Sequence, residues 1–249
     1  MLRYKVSAIS YLNTIPFIYG IKSSKIYEVV DLQLAYPSMS AQKLINDEVD
    51  IALVPLAVLK SYSTFNIVSD YCISADGSVD TVCLYSNVTL KNIGDIYLDY
   101  QSKTSVELLK ILCKEYWKIS PNFKSSKIGF EEKVKDNVAA LIIGDRAFEA
   151  NDKYKYVYDL SEAWKQMTGL PFVFACWISN KEIDENFLYE FNQSLKLGIE
   201  SVEEAIISES FNHLNCDNPK EYLNRKISYI LDEEKRKSME LFLKKIKEL

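Results

Sequence analysis

Apolar and polar positions fall in short alternating blocks along the first two thirds of the chain. Compact apolar runs bounded by Gly, Pro, Asn, Asp or Ser read as strands, and apolar residues recurring at three and four positions read as helices. The pattern predicts strands over residues 4–10, 29–36, 50–54, 81–86, 95–100, 138–143 and 172–178, with helices over 39–46 and 103–117. The longer helix sets Leu108, Leu109, Leu112, Cys113 and Tyr116 along one face, as an amphipathic helix requires. Strands joined by helical crossovers imply an α/β fold with a mainly parallel, doubly wound sheet. Beyond residue 181 the pattern is helical, over 186–208, 219–231 and 233–247. The last segment mixes lysines and glutamates around Met239, Leu241, Phe242 and Ile246, the composition of a solvated helix packed on its own domain.

No linker rich in Pro, Gly and Ser divides the chain. Two extended stretches, 72–86 and 173–179, can instead carry it from one lobe to a second and back. That path leaves a cleft at the crossover, a preferred place for ligands. The turns at the strand ends are unusually polar. They are Ser10-Tyr11-Leu12-Asn13-Thr14-Ile15-Pro16, Pro37-Ser38, the run from Ser74 through Asp76, Gly77 and Ser78 to Thr81, Gln101-Ser102-Lys103-Thr104-Ser105, Gly144-Asp145-Arg146, and Thr168-Gly169-Leu170-Pro171. Asn13, Thr14 and Ser102 are good helix caps, and a helix N-terminus attracts carboxylates and phosphates. Each turn also suits a plain cap, and Asp145 and Arg146 could pair with each other, sit in solvent or face a ligand.

Composition narrows the chemistry. The chain has 249 residues, 48% of them hydrophobic and 26% charged, with a formal net charge of −5. It is long enough for a sizeable core, and its charge argues against a broad nucleic-acid surface. No apolar run is long enough to span a membrane, and the N-terminus has no apolar signal core, so a cytoplasmic location is expected. Five scattered cysteines without a CxxC pair read as free thiols. The one histidine, His213, sits in a polar stretch, which leaves little for histidine-based triads or metal sites. Seven glycines form neither a GxGxxG nor a P-loop pattern. What remains is a cleft of hydroxyls, amides and backbone N–H groups, suited to a small polyanion and lacking a strong base. Chemistry there would have to come from orientation and electrostatics.

Several of these segments, in register, resemble one family. They are the Ser10–Pro16 turn, Val49-Asp50-Ile51-Ala52-Leu53-Val54-Pro55, Asp76-Gly77-Ser78-Val79, Ser102-Lys103-Thr104-Ser105, Ile143-Gly144-Asp145, and Trp164 to Phe174 with its TGLPFVF core. Together they resemble the MqnA family, the chorismate dehydratases of the futalosine route to menaquinone. The resemblance implies a two-lobed type II periplasmic-binding-protein-like fold with a ligand cleft between the lobes, and no metal or organic cofactor. It also implies that the partner is the small molecule chorismate, with no nucleic acid or membrane. The lobes are expected at 1–84 plus 175–249 and at 85–174. The family converts chorismate to 3-(1-carboxyvinyloxy)benzoate and water. Asn13 matches the family's Asn and is expected to meet the departing hydroxyl or a carboxylate. Thr81 stands where Ser is usual and is expected to act beside it. Ser78 stands where Pro is common. Ser102, Thr104 and Ser105 match a Ser/Thr cluster that would grip the ring carboxylate, and Thr168 and Gly169 would line the opposite wall. Thr14, Ser38, Gly77, Ser78 and Asp145 complete the expected binding set. With no evident protein base, the substrate's own enolpyruvyl carboxylate is the expected proton acceptor, and changing Asp145 should leave appreciable turnover. Two alternatives stand beside this reading: a non-catalytic carboxylate-binding protein of the same fold, and the sister dihydroxynaphthoate synthase, which relies on a histidine.

Overall fold

The computed structural model describes residues 3–62, 65–209 and 216–249. His213 lies outside the described residues. The chain first lays down β1 (Tyr4–Ile9), β2 (Val30–Ala35), β3 (Ile51–Pro55) and β4 (Asn66–Ala75). It then builds a second sheet from β5 (Val82–Ser86), β6 (Asp95–Leu98), β7 (Asn122–Ser125), β8 (Val138–Ile143) and β9 (Tyr156–Asp159). Finally it returns on β10 (Phe172–Ser179) and adds β11 (Ser228–Ile230). The helices are α1 (Ile15–Ser23), α2 (Pro37–Ile45), α3 (Lys103–Ile111), α4 (Arg146–Ala150), α5 (Leu160–Thr168), α6 (Glu185–Glu200), α7 (Val202–Ser208), α8 (Pro219–Glu221) and α9 (Glu233–Lys247).

The two sheets are the cores of two lobes. The first has the order β11-β4-β10-β3-β1-β2 and the second β7-β6-β8-β5-β9. Both are mixed, which corrects the expectation of a mainly parallel sheet. β1 runs parallel to β2 and β3, but β10 is antiparallel to both β3 and β4. Likewise β6 is parallel to β7 and β8, while β5 is antiparallel to β8 and β9. Periodicity reveals a strand but not its partner, and a strand returning from the other lobe enters from the opposite end. The chain changes sheet between Ala75 and Val82 and again between Thr168 and Phe172. A boundary between residues 84 and 85 would divide β5, whose partners all lie in the second sheet.

A second difference lies near the C-terminus. The helix expected over 219–231 is only α8 followed by a π turn, Tyr222–Lys226, and then β11. Ile227, Tyr229 and Leu231 are buried while Ile230 is exposed. That period of two is the signature of a strand. The helix expected over 103–117 ends as α3 and continues as a π turn, Leu112–Tyr116.

Packing fixes the helix that follows the first turn. A Cβ on Gly198 of α6 would stand 1.7 Å from the Pro16 carbonyl oxygen, and one on Gly20 would stand 2.0 Å from that of Ser194. Only glycine at both positions lets α1 lie this close to α6. Phe17 meets Trp177 and Tyr229 edge-on at 5.8 and 5.2 Å between ring centroids. On the other side, Trp164 of α5 packs edge-on against Phe172 and Phe242, and its Nε1 donates to Ser238 Oγ at 3.0 Å. Helix α9 thereby clasps the second lobe to the first. Cys72, Cys83, Cys113 and Cys176 are buried free thiols and Cys216 is half-buried. Among the described residues no helix is long and apolar enough to cross a membrane.

Candidate active site in the interlobe cleft

The cleft between the sheets encloses about 480 Å³ of space outside the protein atoms, part of it open to solvent. Ile73, Val79, Ile143 and Phe174 give it an apolar wall, while Tyr11, Asn13, Thr81, Ser102 and Ser105 give it a polar one. No Asp, Glu, His, Lys or Arg is among the described residues that line it.

The first turn is held from several sides. Ser10 N donates to Ala35 O at 3.0 Å, and residues Leu12–Thr14 form a 3-10 turn. Thr14 Oγ1 donates to Asn13 Oδ1 at 3.0 Å, and Tyr229 OH donates to the Asn13 carbonyl at 3.0 Å. Thr14 occupies the N-cap position of α1 but its side chain does not cap it. Leu12 N donates across the lobes to the Asp145 carboxylate at 3.1 and 3.3 Å. Burial pushes the Asp145 carboxyl up to about 6, against the opposing pull of that N–H.

Tyr11 leans on Gly144, which takes φ +65° and also lacks room for a side chain: a Cβ would stand 2.7 Å from the ring. Its OH donates to Gln101 Oε1 at 2.5 Å, and burial raises its pKa so that it stays a neutral phenol. Gln101 is gripped in turn by Arg146, which donates to Gln101 Oε1 at 3.0 Å, to Asp99 Oδ2 at 2.5 Å and to Glu131 Oε1 at 2.6 Å. Asp99 also accepts from Gln101 N and Ile143 N at 2.8 and 3.1 Å. Its carboxyl is still pushed up, because burial outweighs the guanidinium and both N–H groups. Asp145 and Arg146, adjacent in sequence, therefore serve different partners.

Thr81 sits where the chain enters the second sheet. Asp159, the N-cap of α5, holds that crossing: it accepts from Val79 N and Asp80 N at 2.8 and 2.7 Å, and from Ser161 N and Glu162 N at 2.9 and 3.0 Å. Thr81 O accepts from Gly144 N at 2.9 Å, and Thr81 Oγ1 lies 2.8 Å from Tyr222 OH. At the start of α3, Ser102 Oγ caps Ser105 N at 3.2 Å and lies 3.1 Å from Ser105 Oγ.

The structure thus brings Asn13, Thr81, Ser102 and Ser105 to one surface. Thr14 and Asp145 stand directly behind it. Thr104 faces away, accepting from Ala57 N at 3.0 Å across the lobes. Ser38 lies in a neighbouring groove, its N–H donating to Gln101 O at 3.2 Å. Gly77 makes the crossing turn with φ +111°, and Ser78 accepts from Lys226 at 2.8 Å. Thr168 and Gly169 close the C-terminus of α5: Thr168 Oγ1 donates to Trp164 O at 2.8 Å, and Gly169 takes φ +77°. None of these last four lines the cleft. Sequence reasoning did not single out Tyr11, Gln101, Asp159, Tyr222 or Tyr229, whose importance depends on partners distant in the chain. No group of three His, Cys, Asp or Glu among the described residues is placed to hold a metal ion.

A family described as menaquinone biosynthesis matches residues 4–248. A chorismate dehydratase from Thermus thermophilus is 32% identical over 167 residues, 59% of this chain. The match spans 60% of that relative's length. Protein AF1704 from Archaeoglobus fulgidus has a similar structure, with a TM-score of 0.74 at 15% identity over 99% of this chain and 97% of that one. So has the Candida albicans CA3427 gene product, which has the generic periplasmic binding protein fold, with a TM-score of 0.71 at 13% identity over 100% and 91% of the two chains. The aliphatic sulphonate binding protein SsuA of Escherichia coli gives a TM-score of 0.63 at 12% identity over 100% and 87%. The two-lobed, periplasmic-binding-protein-like fold implied by the sequence resemblance is the fold of this chain.

Proposed function

The chain belongs to the menaquinone-biosynthesis family, and from that premise we propose that it is a chorismate dehydratase that makes 3-(1-carboxyvinyloxy)benzoate and water in the interlobe cleft. One observation carries the reading: the cleft pairs an apolar wall with neutral donors and presents no charged side chain among its described residues. Chorismate has a six-membered ring for the apolar wall and two carboxylates and a hydroxyl for the donors.

In this reading Ser102, Ser105 and the first turn of α3 receive the ring carboxylate. The positive end of the helix and its free N–H groups stabilise the charge without a counter-ion. Asn13 and Thr81 then face the C4 hydroxyl. The ring carboxylate acidifies the C3–H through the diene, so loss of the proton and of the C4 hydroxyl makes an aromatic ring. A cleft that folds the enolpyruvyl carboxylate over C3 lets the substrate take its own proton. The C3–H bond breaks to that carboxylate, the C3–C4 double bond forms, and the C4–O bond breaks as the carboxylate passes the same proton to the departing oxygen, so that water leaves and the carboxylate is regenerated. The protein contributes orientation and hydrogen bonds to the developing hydroxide.

The test is incubation of the purified protein with chorismate in chelator-containing buffer, followed by chromatography for the aromatic product. Formation above the uncatalysed background, lost in Asn13→Ala, is the expected result. Tight chorismate binding without product would replace the enzyme with a binding protein of the same fold.

A further inference from the structure

Tyr222 belongs to the C-terminal segment, far in sequence from every motif of the cleft, yet its hydroxyl lies 2.8 Å from Thr81 Oγ1. The ring is buried, with Phe148 edge-on at 5.1 Å. Nearby, Thr14 Oγ1 donates to Asn13 Oδ1 at 3.0 Å, which turns the Asn13 amide nitrogen to the other side. Tyr229 holds the backbone of the same residue at 3.0 Å. The C-terminal segment thus supports both groups that face the C4 hydroxyl in the proposed reaction.

The direction of these hydrogen bonds matters. The Tyr222 phenol is buried, and burial keeps it protonated, so its O–H needs an acceptor. Among the described residues the acceptor within its reach is Thr81 Oγ1 at 2.8 Å, and were Thr81 to donate instead the buried phenol proton would be left without a partner. The other hydrogen-bonding neighbour of the Thr81 hydroxyl among the described residues, the Val79 carbonyl, lies at 3.4 Å, long for an O–H···O bond. The Thr81 proton is therefore left for the cleft.

We propose that Tyr222 is a positioning residue, which donates to Thr81 Oγ1 and so aims the Thr81 hydroxyl proton at the departing C4 oxygen of the substrate. The inference rests on the dehydratase reading, and it assigns the orientation of Thr81 to a residue outside the cleft motifs.

The test is a double-mutant cycle on chorismate turnover with Tyr222→Phe, Thr81→Val and the double variant, each first confirmed folded by thermal unfolding. Tyr222→Phe should lower kcat about tenfold, the worth of one neutral hydrogen bond, with KM within about twofold of wild type. The double variant should be no slower than Thr81→Val alone, because the phenol acts only through that hydroxyl. Additive losses, or a change confined to KM, would overturn the inference and leave the dehydratase reading standing. An inert wild-type protein would overturn both. Should Tyr222→Phe fail to fold, 3-fluorotyrosine at position 222, a stronger donor of nearly the same size, must shift kcat and spare KM. An unmoved kcat would sink the proposal.

Discussion

The surface of the cleft and the layer immediately behind it are built from different chemistry. The surface carries hydroxyls, an amide and apolar side chains. Behind it, Arg146 bridges Asp99 and Glu131, Asp145 receives Leu12 N, and Asp159 receives four backbone N–H groups. The charged groups spend their strength on backbone and on each other, fixing the turns that carry Tyr11, Asn13 and Thr81. The neutral groups face the space where a ligand fits. A buried charge held by several donors is rigid, whereas one left in a cleft would repel or over-bind a dianion. On the proposed dehydratase reading the difference is a division of labour: position is set by ions, and recognition falls to neutral donors.

Arg146→Met breaks the hidden layer most severely. It strips the guanidinium from Asp99, whose side chain is fully buried, and unfastens Gln101 from Tyr11. Removing one partner of a buried pair costs about 3–5 kcal/mol. Urea unfolding should show a loss of that size, and turnover should fall with it as Tyr11 loses its anchor. A variant as stable as wild type would mean that the ion pairs do not hold the cleft, and the division of labour would fail.

Asp145 tests the same layer with the opposite sign. Its carboxyl is raised to about 6 in the folded chain from an ordinary 3.8, so the folded state favours the proton. Stability from this group is full below the ordinary value and is lost as pH climbs through 6. At roughly 1.4 kcal/mol per pKa unit, the folded chain carries a penalty of about 3 kcal/mol above that pH. Asp145→Asn keeps an acceptor for Leu12 N and removes the charge. Its Tm should exceed that of wild type at pH 8 and converge with it at pH 4, while appreciable turnover remains. A lower Tm at pH 8 would show that the charged contact across the lobes is worth more than its burial costs. Complete loss of turnover in a folded variant would count against the substrate as its own base.

The two layers also differ in how far the sequence reveals them. Strand 138–143 and helix 233–247 are legible to the residue, the first as a six-residue apolar run that stops at Gly144 and the second as apolar residues spaced along one face among charges. Asn13, Ser102 and Ser105 stand out as polar residues where strands end, and they lie on the cleft. The supporting residues do not stand out. Thr81 and Tyr222 are 141 residues apart, and Asp159 is 80 from the Val79 N–H it accepts. A tyrosine within a segment read as a helix carries no local sign of such a partner. The alternation over Ile227-Ser228-Tyr229-Ile230-Leu231 lies in burial rather than in residue type, since Ile230 is apolar yet exposed, so residue types alone do not mark the segment as a strand. Conversely, Thr104, Thr168 and Gly169 carry the same local polarity as the lining residues. Their hydroxyls and backbone serve lobe contact and helix termination instead, uses that composition cannot separate from ligand binding.

Ser102 gives the smallest and sharpest test, because it belongs to both layers. Its Oγ accepts from Ser105 N as the cap of α3 and also borders the cleft. Ser102→Ala should cost about 1 kcal/mol of stability, the usual worth of a cap. It should also weaken chorismate binding, since one donor toward the ring carboxylate is gone and the Ser105 hydroxyl loses its partner. Thr104→Ala, two residues on in the same turn of helix, is the control. It removes the contact to Ala57 N behind the cleft and leaves the lining intact. If recognition belongs to the surface alone, chorismate affinity by calorimetry falls in Ser102→Ala and holds in Thr104→Ala, although denaturation shows both to be less stable. Equal losses of affinity would mean that lobe contact, rather than the donor itself, sets binding, and the boundary between the two layers would have to be drawn elsewhere.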